Sequence, residues 1–289
     1  MTDDIIKQRF LDYSMAVFIE FISTKKGIKK AIKRGELRLN GEVVESGRYL
    51  KQGDKLQLVD LDNRVPKAFN LSLEIVYEDD ALAVINKPAG IVVSGNLYRT
   101  IVNALQFNLK SSSCKDALNW AKPVHRLDHQ TSGLLLIAKT HSAIVELSRQ
   151  FEYKEIRKKY HAIVIGKTAD RGVIEYEIEG RSAITEYKLL EQVKSLRNGY
   201  LSLLELTLHT GRTHQLRIHL AQLGFPIMGD KLYGTPGEIL KHKGLFLSAV
   251  ELHFDHPDDD HDMDIKISDP AKFRSLLNRE QRRFETNSQ

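Results

Sequence analysis

The chain has 289 residues, 42% hydrophobic and 28% charged, which is ordinary globular usage and excludes wholesale disorder or a low-complexity scaffold. Its 43 Lys and Arg against 38 Asp and Glu leave a formal charge of +5, a mild excess that fits a polyanionic partner without identifying one. A single cysteine excludes an internal disulfide, no apolar run approaches a membrane span, and Met1-Thr-Asp-Asp-Ile lacks signal-peptide order, so a soluble cytoplasmic protein is expected.

The positive charge is concentrated between residues 25 and 51. Lys25, Lys26, Lys29, Lys30, Lys33, Arg34, Arg38, Arg48 and Lys51 stand against Glu36, Glu42 and Glu45. Residues 27–34 read as a helix, with Ile28 and Ile32 four apart and lysines on the remaining faces. Gly35 ends it. Leu37-Arg38-Leu39, the turn Asn40-Gly41 and a segment with Val43 and Val44 predict a hairpin, and the turn Gly53-Asp54 precedes another apolar strand. A basic helix leading into a small sheet suits a nucleic-acid backbone, although a solvated helix face is the plainer reading of the same charges. The basic helix, Gly35, Leu39-Asn40-Gly41 and Gly53-Asp54 together resemble the S-four-type RNA-binding domain. Residues 12–18 depart from it, standing where that family usually shows an Arg-Leu-Asp helix start. The resemblance implies RNA contacts from Lys29, Lys30, Lys33, Arg34 and Arg38. Pro66 and the lack of a clear period mark a linker. The expected organisation is residues 1–62 as a small α+β RNA-binding domain, 63–72 as linker and 73–289 as a larger second domain.

Within 73–289, residues 73–77 and 82–85 flank Glu78-Asp79-Asp80 as a hairpin-like pair, followed by the turn Asn86-Lys87-Pro88-Ala89-Gly90. The apolar run 134–138, bounded by Gly133 and Lys139, suits a strand buried on both faces. Thr140 is placed to cap a helix whose Ile144, Leu147 and Phe151 share a face. Residues 160–165 alternate, a long strand is expected over 201–209, and Leu216, Leu220 and Leu223 are spaced as a helix closed by Gly224. The tail 279–289 shows no apolar period and reads as a frayed helix or disorder. Mixed strands without regular strand–helix alternation predict an α+β fold, with a mixed, largely antiparallel sheet and flanking helices.

Two polar stretches stand apart from core and surface filler. His125-Arg126-Leu127-Asp128-His129-Gln130-Thr131-Ser132-Gly133 precedes the most apolar strand. Asp128 is therefore expected where a loop enters a desolvated core, and a carboxylate there is costly unless a cation meets it. In Gly211-Arg212-Thr213-His214-Gln215-Leu216-Arg217-Ile218-His219-Leu220, a helix would put Arg217 at the border between core and cleft. Arg217 is then a natural counter-ion for Asp128. Spacing leaves a catalytic pair and a structural salt bridge equally open.

Ordered motifs carry a resemblance that extends over residues 78 to 234. His125-Arg126-Leu127-Asp128 with Thr131-Ser132-Gly133-Leu134-Leu135 resembles the signature of the RluA-type pseudouridine synthases. Glu78-Asp79-Asp80 through Asn86-Lys87-Pro88-Ala89-Gly90 resembles that family's first motif, and Lys158-Lys159-Tyr160 the short motif carrying its active-site tyrosine. The stretch 211–219, with Pro226-Ile227-Met228-Gly229-Asp230 and Tyr233-Gly234, resembles its third. Ser248 stands where members often have His. The resemblance implies an RNA uridine isomerase whose catalytic domain is 73–289, acting on large-subunit ribosomal RNA, with transfer RNA as the other substrate class. It implies Asp128 as nucleophile or base on the ribose, Arg217 as its partner and Tyr160 packing on the detached ring. Arg126 would hold the RNA or fill the vacated space, with Leu216 and Ile218 as pocket walls. The isomerisation needs no cofactor, and the chain offers no Gly-x-Gly-x-x-Gly run or phosphate-binding loop. No obligate protein partner is inferred. A non-catalytic RNA-binding or ribosome-assembly protein on the same fold is the alternative.

The remaining tempting features have plainer readings. His256-Pro257-Asp258-Asp259-Asp260-His261-Asp262 lacks ordered ligand spacing and reads as an acidic turn between strands. His214 and His219 are five apart, off one helix face, so no metal is expected there. His125 and His129 read as hydrogen-bonded positioners, Cys114 as a loop thiol and Trp120 as packing.

Overall fold

The computed structural model describes residues 5–18, 22, 24–58, 67–234 and 243–287. In the amino-terminal segment, β1 (Ile5–Arg9), α1 (Phe10–Val17) and α2 (Lys25–Arg34) precede the short strands β2 (Leu37–Leu39), β3 (Tyr49–Lys51) and β4 (Leu56–Leu58). The Thr24 hydroxyl accepts the Gly27 amide at 3.0 Å to start α2, and Gly35, at φ 73°, closes it. Ile28, Ala31 and Ile32 enter a small cluster with Phe10, Leu37, Leu39 and Leu50, while Lys29, Lys30, Lys33 and Arg34 stay exposed. The predicted hairpin is corrected. Val43 and Val44 form no strand, and β2 pairs with β4, while β1 pairs with β3. The Asn40 side chain bonds Asp54 and the Lys55 amide, both at 2.8 Å, which fastens the first turn to the second and lays β2 along β4. The expected domain limit and residues 63–66 of the expected linker lie outside the described residues, and 67–72 carry no regular structure.

The remaining strands are β5 (Glu74–Glu78), β6 (Leu82–Lys87), β7 (Ala117–Pro123), β8 (Ser132–Thr140), β9 (Arg157–Ile165), β10 (Arg171–Ile174), β11 (Thr185–Ser195), β12 (Gly199–Leu208), β13 (Leu247–Asp255) and β14 (Asp262–Lys266). Four helices interleave with them: α3 (Ile101–Leu105), α4 (His141–Glu152), α5 (Gln215–Gln222) and α6 (Ala271–Asn287). The strands form one sheet in the order β10-β11-β12-β9-β13-β8-β6-β5, with β14 on β13 and β7 on β8. Among the described residues only β8 and β13 pair in parallel. This is the mixed, largely antiparallel α+β architecture expected from the strand pattern.

Strand alternation explains the run at 134–138. Ala83, Ile85, Leu135 and Ile137 face one layer with Leu216, Leu220 and Phe273, whereas Leu82, Val84, Leu134, Leu136 and Ala138 face another with Ala143 and Leu147 of α4. Each such leucine contributes about 1.5–3 kcal/mol through burial. Thr140 caps α4 as expected, accepting the Ala143 amide at 3.1 Å. Of the two readings of the tail, the structure has the helix: α6 continues to Asn287, anchored by Phe273, Leu276 and Leu277 upstream, and its buried Glu280 accepts from the Ser195 hydroxyl at 2.8 Å. Among the described residues no helix is long and apolar enough to cross a membrane.

The parallel contact sets the start of β8. Ser132 lies opposite Ser248 and Gly133 opposite Ala249. Gly133 has φ 110°, and a Cβ there would stand 2.1 Å from the Ala249 carbonyl oxygen. Gly133→Ala is therefore expected to cost on the order of 3–5 kcal/mol of stability. Urea unfolding measures this, and a midpoint equal to the parent's would refute the close-approach argument.

Candidate active site

The polar loop between β7 and β8 is tied down on several sides. Leu127 is buried in the core. His125 Nε2 accepts the Leu136 amide at 3.0 Å; burial, reinforced by Lys158, pushes the ring down to about 3, so it stays neutral and keeps its acceptor role. His129 and Gly90 exchange two bonds of 2.7 Å, one from the Gly90 amide to the His129 carbonyl and one between His129 Nε2 and the Gly90 carbonyl. Lys87, fully buried at the end of β6, donates to the carbonyls of Pro88 and Thr131 at 2.9 Å each. Burial pushes this amine down to about 8, against the opposing pull of the Asp128 charge. The loop stops short of the interior, so Asp128 is not the desolvated carboxylate expected from the sequence: its side chain is 30% exposed.

Arg217 reaches Asp128 with only one of its three nitrogens. Nε and Nη2 donate to Asp230 at 2.7 and 2.8 Å, and Nη1 stands 3.8 Å from Asp128 Oδ2. Asp230 also accepts the amides of Leu232 and Tyr233 at 2.9 and 3.2 Å. Burial would raise the Asp230 carboxyl, but the hydrogen bonds from Arg217 and these two amides outweigh it and hold it below the ordinary carboxylate range. Burial likewise disfavours the Arg217 charge, and Asp230 reverses that effect. The close salt bridge thus goes to Asp230, and Asp128 receives the remaining nitrogen.

His214 opens α5 at φ 56°, a left-handed conformation for a residue with a side chain. Its Nδ1 lies 3.0 Å from the Tyr233 hydroxyl and its Nε2 3.8 Å from Asp128 Oδ2. The Tyr233 ring also lies 5.1 Å from the Arg217 guanidinium. Both groups facing Asp128 are beyond hydrogen-bond range, so neither occupies its oxygen. Tyr160, on β9, is buried; burial, with the Asp128 charge added, pushes its phenol above the ordinary value and keeps the proton on. Leu216 packs into the core, Ile218 is half-buried and Arg126 is exposed. Of the basic residues expected on RNA, Arg38 donates to the carbonyls of Gly35 and Gly41, and Arg34 pairs loosely with Glu36 at 3.4 Å.

Lys87, His214, Asp230 and Tyr233 were visible in the sequence only as letters of motifs or as a rejected ligand. A buried arginine needs a close acceptor, which is the one signal that pointed towards an acidic residue such as Asp230.

Asp230→Asn leaves Arg217 buried without its charged partner and is expected to cost about 3–5 kcal/mol at neutral pH. Because the folded-state pKa of Asp230 is lowered, its contribution is present above the unfolded value of about 3.9 and is lost as pH falls through the folded one. Urea melts should therefore show the gap between parent and variant shrinking in acid, and equal stabilities at pH 7 would refute the pairing.

The profile of the RNA pseudouridylate synthase family matches residues 81–222, a span that includes Asp128, Tyr160, His214 and Arg217. A protein of Aquifex aeolicus described as an uncharacterized RNA pseudouridine synthase is 35% identical, over 86% of this chain and 87% of its own. The ribosomal large subunit pseudouridine synthase D of Xanthomonas campestris pv. campestris is 35% identical, over 88% of this chain and 83% of its own. Among solved structures, human RNA pseudouridylate synthase domain containing 1 superposes with a TM-score of 0.58 at 26% identity, covering 69% of this chain and 84% of that one. An α+β sheet of matching shape and an alignment running nearly end to end leave one assignment: the chain belongs to the RluA-type RNA pseudouridine synthases and is an enzyme of that activity.

Proposed function

We propose that this enzyme isomerises uridines in large-subunit ribosomal RNA, in the cytoplasm, and that Asp128 is the residue that acts on the ribose. One observation carries the residue assignment: a partly exposed carboxylate whose Oδ2 has Arg217 Nη1 and His214 Nε2 each at 3.8 Å, neither hydrogen-bonded to it. The substrate class is supported by the name of the Xanthomonas relative.

The reaction breaks the bond from ribose C1′ to uracil N1 and forms one from C1′ to C5. C5 gives up a proton and N1 gains one, so no oxidant, reductant or co-reactant is consumed. In this reading an Asp128 oxygen either attacks C1′ or removes the proton at C2′. Arg217, aimed by Asp230, faces that carboxylate throughout. Tyr160 packs on the detached uracil with its phenol protonated, and Leu216 and Ile218 wall the base. The target nucleotide must leave its stack at a cost of a few kcal/mol, and exposed Arg126 holds the RNA or fills the vacated space. Residues 1–62 act as the RNA grip, joined through 63–72 to the catalytic domain 73–289, with Lys29, Lys30, Lys33, Arg34 and Arg38 contacting phosphates. The exposed lysines of α2, backed by a separate hydrophobic cluster, support that role.

Carbodiimide labelling with primer extension on ribosomal RNA from a deletion strain tests the substrate: a lost pseudouridine is expected, and an unchanged pattern would overturn the ribosomal assignment. Asp128→Asn should lower turnover on the order of 10³-fold or more while RNA binding stays within about twofold; retained turnover would place the chemistry elsewhere. Replacing Lys29, Lys30 and Lys33 by Gln should flatten the slope of log affinity against log salt by about 2 to 3. An unchanged slope would remove these residues from the interface.

A further inference from the structure

His214 is the N-terminal cap residue of α5, with φ 56° and ψ 20°. In this left-handed region an L side chain strains the backbone, and glycine or asparagine is the usual occupant. A cap residue ordinarily turns its side chain back onto the free amides of its helix, and His214 makes no such bond. Its imidazole reaches into the active site instead, with Nδ1 3.0 Å from the Tyr233 hydroxyl and Nε2 3.8 Å from Asp128 Oδ2. A strained backbone, kept by a histidine that does nothing for its own helix start, points to a use for the side chain.

The two neighbours of the ring decide where its proton sits. A proton on Nδ1 alone would turn the Nε2 lone pair towards a carboxylate oxygen. With the Tyr233 hydroxyl donating to Nδ1, Nε2 carries the proton, and in the imidazolium both nitrogens do. Either way an N–H faces Asp128, whatever the charge of the ring. Arg217 Nη1 faces the same oxygen, Oδ2, at the same 3.8 Å. Two donors thus address one carboxylate oxygen, and among the described residues no hydrogen bond reaches the other, Oδ1. Both donors are held from behind by one buried group: Asp230 takes Nε and Nη2 of Arg217 and also the amide of Tyr233, whose hydroxyl holds His214. A charge-assisted bond spans about 2.7–2.9 Å, so each gap is roughly 1 Å, and catalytic contacts of this kind tighten when substrate binds.

We propose that His214 is a positioning residue of the isomerisation: it is the second N–H donor to Asp128 Oδ2, and with Arg217 Nη1 it holds that oxygen and leaves Oδ1 as the one that meets the ribose. This rests on the reading of Asp128 as the residue that acts on the ribose, and adds which oxygen reacts and what aims it. A carboxylate held at one oxygen by two donors loses its freedom to rotate, so the lone pair of the other stays directed at the sugar. Tyr233 serves the same end with its two parts, its hydroxyl on His214 Nδ1 and its ring 5.1 Å from the Arg217 guanidinium.

The test is single-turnover pseudouridine formation in total RNA from the deletion strain, with full-length enzyme in excess. It reads the saturating rate constant and the half-saturating enzyme concentration, with thermal melts to confirm folding. Glycine and asparagine suit the left-handed backbone but place no donor where Nε2 stands, whereas glutamine suits that backbone less well and extends an amide donor to that position. His214→Ala, His214→Gly and His214→Asn should each lower the rate constant about 10²-fold, with half-saturation changed by less than about threefold. His214→Gln should recover about tenfold of that loss. Tyr233→Phe keeps the ring and removes only the hydroxyl; it should slow the enzyme about tenfold and add little to His214→Ala. A parent-like rate in the Gly or Asn variant, no recovery by Gln, or a loss confined to half-saturation overturns the role. Asp128→Asn separates this role from the reading beneath it. An inactive Asp128→Asn beside a fully active His214→Ala overturns the role of His214 alone, and turnover retained in Asp128→Asn overturns both.

Discussion

Arg217 offers three nitrogens to two acidic neighbours, and the division between them shapes the site. A guanidinium at 6% exposure has lost most of its hydration, and only a close, well-directed acceptor offsets that cost. Asp230 supplies it with two bonds below 3 Å, while its own remaining capacity is taken by the amides of Leu232 and Tyr233. The guanidinium plane is thereby set, and Nη1 is left aimed at Asp128 without closing on it.

Burial pushes three titratable side chains of the sheet and its adjoining loop towards their neutral forms. Burial makes His125 neutral, keeps the proton on Tyr160 and lowers the Lys87 amine to about 8. Arg217 moves the other way, its charge secured by Asp230. The permanent positive charge beside Asp128 is therefore a guanidinium whose position is fixed by Asp230, while the buried Tyr160 phenol keeps its proton.

The two ends of β6 and β8 carry different chemistry on one rigid frame. Because their side chains pack alternately into layers on both faces of the sheet, neither strand can shift without disturbing two cores. At one end sit Lys87, the Asp128 loop and the close approach of Gly133 to Ala249. At the other, buried Lys139 pairs with Glu78 at 2.8 Å and donates to the Asp79 carbonyl, beside the contact of His256 with Asp79. The buried ammonium groups at the two strand ends, Lys87 and Lys139, each reach a partner far away in the chain, Thr131 and Glu78 respectively.

Most of the local structure was legible in the sequence. The Thr140 cap, the closing Gly35, the doubly buried run 134–138 and the helix over Leu216 and Leu220 are short-range signals, and the residues that make them lie within a few positions of one another. The ordered motifs likewise carried the family and brought Asp128, Tyr160 and Arg217 forward as candidates. Three-dimensional packing alone decided that β2 pairs with β4, that α6 runs to Asn287, that Arg217 spends its close bonds on Asp230, and that His256 meets Asp79 across 177 positions of chain. The physical reason is that periodicity encodes which face of an element is apolar, whereas the choice of partner for a buried charge depends on distances and directions that exist only after distant segments have packed.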